Sequence, residues 1–161
     1  MLHTPDTAVA DDDVPVVRLL HKLLADAVGM GASDLHFEPF EHLFRVRLRL
    51  DGVLHELAQP PLSLRDKLAT RLKILARLDI AEKRLPQDGK MRLTLGARTV
   101  DFRVSTLPTQ FGEKIVLRIL DTAQAALSIS DLGYEPAQQE ALLQAISKPH
   151  GLVLMTGPTG S

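Results

Sequence analysis

The chain has no cysteine in its 161 residues and only 4% aromatic side chains. Without cysteine there is no disulfide framework, and no thiolate to bind zinc or act as a nucleophile in this stretch. No apolar run approaches the ~20 residues that a helix needs to cross a bilayer. The opening MLHTPDTAVADDD lacks the basic-then-apolar order of a secretory signal. Internal repeats and low-complexity segments are also missing. These absences lead to the expectation of a soluble, cytoplasmic protein of one domain, or of one domain and the start of another.

What is present is unevenly charged. Residues 43–118 carry 16 Lys and Arg against 8 Asp and Glu, and the remainder 3 against 12, within a net charge of only −1. A basic middle between acidic ends suits an anionic partner, or is a solvated surface. Residues 1–13 are polar and aperiodic and read as a tether. From Pro15 to Val28 the apolar positions Val16, Val17, Leu20, Leu24, Ala27 and Val28 recur at helical spacing; Asp13 is placed to cap this helix, Pro15 suits its first turn and Gly29 its end.

The period then changes to two. In LFRVRLRL, Phe44, Val46, Leu48 and Leu50 alternate with Arg45, Arg47 and Arg49, and Asp51-Gly52 marks a hairpin into VLHEL. After Pro60-Pro61 a second helix is expected, with Ser63 as N-cap and Asp66 completing a capping-box variant. Its apolar stripe is Leu64, Leu68, Leu72, Leu75 and Leu78, with Arg65, Lys67, Arg71, Lys73 and Arg77 largely outside it. By composition LPQDGK, residues 85–90, is a turn. Further strands are expected at Met91–Leu95, Thr99–Ser105 and Lys114–Leu120. A connector at Asp131–Tyr134, a helix at Pro136–Ser147 and a break at Pro149-His150-Gly151 follow.

The sequence ends on LVLMTGPTGS. Leu152–Met155 reads as a short apolar strand, and Gly157, Pro158, Thr159, Gly160 and Ser161 fill the first five positions of the phosphate-binding pattern G-x-x-x-x-G-K-[ST]. A Gly/Pro-rich tail that merely resembles the motif is the alternative. Helix, break, buried strand and glycine loop is the order expected at the entry to a nucleotide-binding α/β domain. The closing glycine, lysine and hydroxyl are not in the sequence.

Two constellations carry candidate chemistry. Alternation places Asp101 and Arg103 on one strand face, and Val116, Arg118 and Leu120 on one face of the next strand, so Arg103 and Arg118 can share a surface. Their planar forks suit phosphate oxygens; the competing reading pairs them with Asp101 or Glu113 in structural salt bridges. Asp34, His36 and Glu38 also alternate to one side, as a hydrogen-bonding cluster that pins the strand or as a divalent-metal site. Nucleic-acid binding would want aromatics on the basic face. Phe44 and Phe102 fall on the apolar faces, and Phe37, Phe40 and Phe111 near strand ends or turns, so no nucleic acid is expected.

The blocks GASDLHFEPFEHLFRVRLRLDGVLHE, RLKILARLDIAEKRLPQDGKMRL, VDFRVSTLPTQFGEKIVLRILD and HGLVLMTGPTGS, in this order, resemble the GspE/PilB-type secretion ATPases, which drive type II secretion and type IV pilus assembly. The resemblance runs from about Val14 to Ser161, and FRVRLRLDGVLHELAQPPLSLRDKLATRLK leans toward the pilus-extension branch. It implies an α+β fold: an antiparallel sheet with flanking helices, followed by the first helix and strand of a RecA-like α/β domain. The implied organisation is a linker at 1–13, a PAS-like second N-terminal domain at 14–121, a connector at 122–135, and a RecA-like start at 136–161 that ends inside the Walker A loop.

The resemblance also implies roles. Arg103 and Arg118 match family arginines that reach the nucleotide phosphates, and Gly157, Pro158, Thr159, Gly160 and Ser161 match the start of Walker A. The parent is expected to be a P-loop ATPase using ATP and Mg²⁺. It would be a homo-hexamer that pushes on an inner-membrane platform protein, peripheral at the cytoplasmic face of the bacterial inner membrane, with a PilZ-type or cyclic-di-GMP-linked regulator. The Walker lysine and threonine, the catalytic acidic residue, Walker B and the tetracysteine zinc motif would all lie beyond Ser161. The piece alone is therefore expected to bind no nucleotide or metal stably and to be inactive, in keeping with a fragment of a longer protein. Two alternatives remain: the equivalent domain of a type II secretion ATPase, or a protein-interaction module whose basic helix, with Arg71, Lys73 and Arg77, docks a regulatory adaptor or the platform protein.

Overall fold

The computed structural model describes residues 14–120 and 128–157. The tether, the Asp13 cap and the loop positions Pro158, Thr159, Gly160 and Ser161 lie outside the described residues. In chain order the elements are α1 (Val14–Gly29), β1 (Asp34–Pro39), β2 (Phe44–Leu50), β3 (Val53–Ala58), α2 (Arg65–Leu75), β4 (Gln87–Leu95), β5 (Arg98–Thr109), β6 (Gly112–Leu120) and α3 (Pro136–Ile146). The strands form one sheet in the order β3-β2-β1-β6-β5-β4, antiparallel throughout. The fold is α+β, as expected.

Period-two alternation decides which face meets the helices. Leu35 and Phe37 of β1, Phe44, Val46 and Leu48 of β2, Met91 of β4, Val100, Phe102 and Val104 of β5, and Ile115 and Leu117 of β6 form one buried cluster with Val16, Leu20, Leu23, Leu24, Ala27 and Val28 of α1 and Leu68 and Leu72 of α2. Phe37, expected near a strand end, lies buried within β1, its ring centroid 6.4 Å from that of Phe44. The Asp51-Gly52 hairpin forms as read, both residues at positive φ, 47° and 82°, the pattern of a type I′ turn that matches the twist of its strands.

Helix ends differ from expectation for backbone reasons. Gly29 is still helical; the left-handed residue is Gly31, and α1 closes with Gly31 N–H on Val28 O and Ala32 N–H on Ala27 O, a Schellman pattern. Ser63 does not cap α2. It lies inside a 3₁₀ turn, Leu62–Leu64, that feeds the helix, the N-cap is Leu64 without a side-chain bond, and Asp66 pairs with Arg65 instead. α2 ends with Leu78 N–H on Lys73 O and with Arg77 at φ 58°.

LPQDGK is largely strand, since β4 already begins at Gln87. The Gln87 amide accepts from Asp79 N–H and donates to the carbonyls of Asp79 and Glu82, which ties the preceding loop to the sheet edge. Opposite Val104, Gly89 sits so close to the end of α2 that a Cβ would come within 2.8 Å of the Ala76 carbonyl oxygen. Of the second unit, α3 is present as expected. Leu152–Met155, expected as a strand, has no paired neighbour among the described residues and stays exposed, because a strand forms only against partners.

Lys73 is also placed differently from the sequence reading. It is 1% exposed, its ammonium 2.9 Å from Glu113 Oε1 between α2 and β6, and it donates as well to the Glu82 carbonyl. Removing one member of such a pair strands the other charge, whereas replacing both can be nearly neutral. Lys73→Ala is expected to lower unfolding stability by about 3–5 kcal/mol, and the double change Lys73→Met with Glu113→Leu by much less, measured by urea denaturation.

Candidate functional site

The face of the sheet away from the helices carries nearly all of its charge. At the β2–β1 end that charge is internally compensated. Glu38, 5% exposed, accepts a bidentate pair from Arg47 (Nε 2.7 Å, Nη2 2.9 Å), with Arg45 at 3.4 Å and Lys114 at 3.0 Å. Burial would raise this carboxyl, but the hydrogen bonds from Arg47 and Lys114 and their charges hold it down at about 2. Arg45 also lies over the Phe40 ring at 4.9 Å. Asp34 takes Arg49 at 3.5 Å, Arg118 at 3.3 Å and the Ser33 hydroxyl at 2.8 Å. His36, between these carboxylates, is buried with neither ring nitrogen hydrogen-bonded, and burial followed by the Lys114 charge lowers its pKa. Of the two readings of Asp34, His36 and Glu38, the carboxylates form the strand-pinning cluster, engaged by cations from β2 and β6.

Across the middle of β6, β5 and β4 the compensation thins. Arg118 lies directly opposite Arg103, and Arg103 directly opposite Lys90. The three point out of the same face, all exposed. The competing pairing of the arginines with Asp101 or Glu113 is not what forms: Asp101 is clamped by Arg92 at 2.6 and 2.8 Å, and Glu113 by Lys73. Arg118, its side chain 60% exposed, touches Asp34 by Nε alone, and among the described residues no carboxylate ion-pairs with Arg103 or Lys90. On one side the row is bordered by the Arg92–Asp101 pair, on the other by the Ser105 hydroxyl donating to Asp88. Asp34, Asp88, Gly89, Lys90, Arg103, Ser105 and Arg118 line an open depression of about 540 Å³.

Arg103 and Arg118 are thus brought together as alternation required. Gly157 is described only as exposed, irregular backbone. Sequence reasoning missed Lys90, because LPQDGK was taken whole as a turn; counting back from Arg92 by twos finds it. The basic helix offered as a docking face loses Lys73, which points inward.

The chain matches the family described as Type II/IV secretion system protein over residues 9–161. It is a member of that family. It is 57% identical to "Type IV pilus assembly ATPase PilB" of Acinetobacter baylyi over 93% of its own length and 26% of that protein's, and 52% identical to the same-named protein of Pseudomonas aeruginosa over 97% and 28%. To "Type II secretion system protein E" of Aeromonas hydrophila it is 47% identical over 97% of its own length and 31% of that protein's. This secretion-system family member therefore spans 26 to 31% of the length of these relatives. Among its described residues no helix is long and apolar enough to cross a membrane.

The compensated half of the face gives a pH dependence. Glu38 is depressed in the folded state from the usual 4.5 to about 2. Its contribution, up to about 3 kcal/mol, is complete above the unfolded value and is lost as pH falls from about 4.5 toward 2. Urea midpoints measured across that window are expected to fall for the parent chain and to flatten in Glu38→Gln.

Proposed function

We propose that this chain is the sheet domain of a hexameric ATPase that powers type IV pilus assembly, and that Arg103 and Arg118 bind the phosphates of the ATP substrate. The observation that carries the reading is the uncompensated row. Like charges directly opposite on neighbouring strands destabilise a sheet by up to about 1 kcal/mol per pair, yet here Arg118, Arg103 and Lys90 stand in register with a single carboxylate, Asp34, ion-paired at the Arg118 end. An anion seated on the row relieves that repulsion. Arginine forks make paired, charge-assisted bonds to phosphate oxygens and keep their charge.

The names of the relatives support the class of protein, and the higher identity to the PilB proteins than to the type II secretion protein favours the pilus branch. Residues 14–121 form the sheet domain in this reading, 122–135 the connector, and 136–161 the start of the ATPase domain, with Gly157, Pro158, Thr159, Gly160 and Ser161 opening its phosphate loop. The residues of the row fit the substrate's polyphosphate. Mg²⁺, when bound with it, neutralises phosphate charge as a Lewis acid. The row draws the sheet face toward the loop when the triphosphate is present and lets it go when the terminal phosphate leaves, which converts charge into rotation between domains. The working form is a homo-hexamer at the cytoplasmic face of the inner membrane, acting on a platform protein there and open to a PilZ-type or cyclic-di-GMP-linked regulator.

ATP turnover by the full-length protein tests this. At matched oligomeric state, Arg103→Ala and Arg118→Ala are expected to fall about a hundredfold or more, the scale of losing a charged donor to the reacting phosphate. Because both side chains are exposed and Arg118 has only one long ion pair, neither change should unfold the domain. Unchanged turnover with intact assembly would overturn the reading.

A further inference from the structure

The row has a third cation, Lys90, to which the resemblance gave no role. It reaches this place through backbone constraints on its own strand. Its neighbour Gly89 faces the opposite side, where a Cβ would meet both the Ala76 carbonyl oxygen and Leu78 Cδ2 at 2.8 Å. Gln87, at the start of the strand, is hydrogen-bonded to the loop carbonyls of Asp79 and Glu82. With the strand held at these points, alternation sends Lys90 out of the open face, directly opposite Arg103.

Neither acidic group nearby ion-pairs with Lys90. Asp88, two residues back on the same face, accepts from the Ser105 hydroxyl, and Asp101 is held by both arms of Arg92. Arg118 has Asp34 at the far end of the row; Lys90 has no such partner among the described residues. The row from Arg118 to Lys90 covers two strand spacings, about 10 Å, which suits charge spread over more than one phosphate group.

We propose that Lys90 is a third phosphate-contacting residue of the nucleotide site, a mobile point charge beside two arginine forks. This rests on the reading of the row as a nucleotide-phosphate surface. Lysine serves here as a compact ammonium with three donors on a flexible stem, able to follow phosphate oxygens that the planar guanidiniums do not reach. It would favour a nucleoside triphosphate over a monophosphate, because its position lies beyond the pair of arginines.

The test measures kcat and KM for ATP in the full-length protein for Lys90→Gln, Lys90→Arg and Arg103→Ala, at matched oligomeric state, with thermal unfolding of each. Lys90→Gln is expected to lower kcat/KM about ten- to a hundredfold, the range for loss of one hydrogen bond to a charged group. Lys90→Arg should recover most of that loss, and the unfolding temperature should stay or rise. If Lys90→Gln turns over like the parent while Arg103→Ala falls, Lys90 is not a phosphate ligand and the reading of the row survives. If neither falls, the reading of the row itself is wrong. A loss in Lys90→Gln that Lys90→Arg does not recover, or that comes with a lower unfolding temperature, marks a structural role and also overturns the proposal.

Discussion

Strand alternation is the constraint on which the rest of this structure depends. Once Leu35, Phe37, Val46, Leu48, Phe102, Val104, Ile115 and Leu117 are committed to the helices, every residue between them must share the other face. Antiparallel register then fixes which charge stands opposite which. Between β2 and β1 the result is opposite charges in reach: Arg47 closes on Glu38 with two bonds, and Asp34 collects Arg49 and Arg118. Between β6, β5 and β4 it is three cations in line. The same rule thus produces a half whose charges pair within the sheet and a half in which, among the described residues, Arg103 and Lys90 ion-pair with no carboxylate.

The two halves divide the work of the domain. The buried pairs of Glu38 and of Lys73 with Glu113 are expensive to break and hold β1, β2, β6 and α2 in one arrangement. That rigidity sets the spacing of Lys90, Arg103 and Arg118, since a cation can be aimed only from a strand that does not slide. Gly89 contributes in the same way, letting β4 approach α2 so closely that its register is fixed. In the proposed reading a polyphosphate would meet an arrayed surface and not have to organise it, which is the electrostatic preorganisation that makes charged sites effective.

Much of this was legible in the sequence. The arginine strand, the Asp51-Gly52 hairpin and the shared face of Arg103 and Arg118 all follow from a period of two and turn chemistry. The parts that were not legible involve contacts between residues far apart in the chain. Lys73 fits the polar face of α2 on a helical wheel, and only the arrival of Glu113, forty positions on, explains its burial. LPQDGK has the composition of a turn, yet Gln87, Gly89 and Lys90 each answer to a different neighbour: the loop at Asp79 and Glu82, the end of α2, and Arg103 across the sheet. Ser63 failed as a cap because the 3₁₀ turn that contains it moved the helix start one residue on.

The most direct test of the central claim is the stability of this 161-residue chain with Arg103→Gln, measured by thermal unfolding at low and high salt and set beside Arg92→Gln. If the row is an uncompensated array kept for an anion, removing Arg103 relieves repulsion and stabilises the domain by up to about 1 kcal/mol. Removing Arg92, which pairs with Asp101, does the reverse, and both effects shrink as salt screens them. Destabilisation by Arg103→Gln would mean that the arginine holds the sheet together, and would contradict the account.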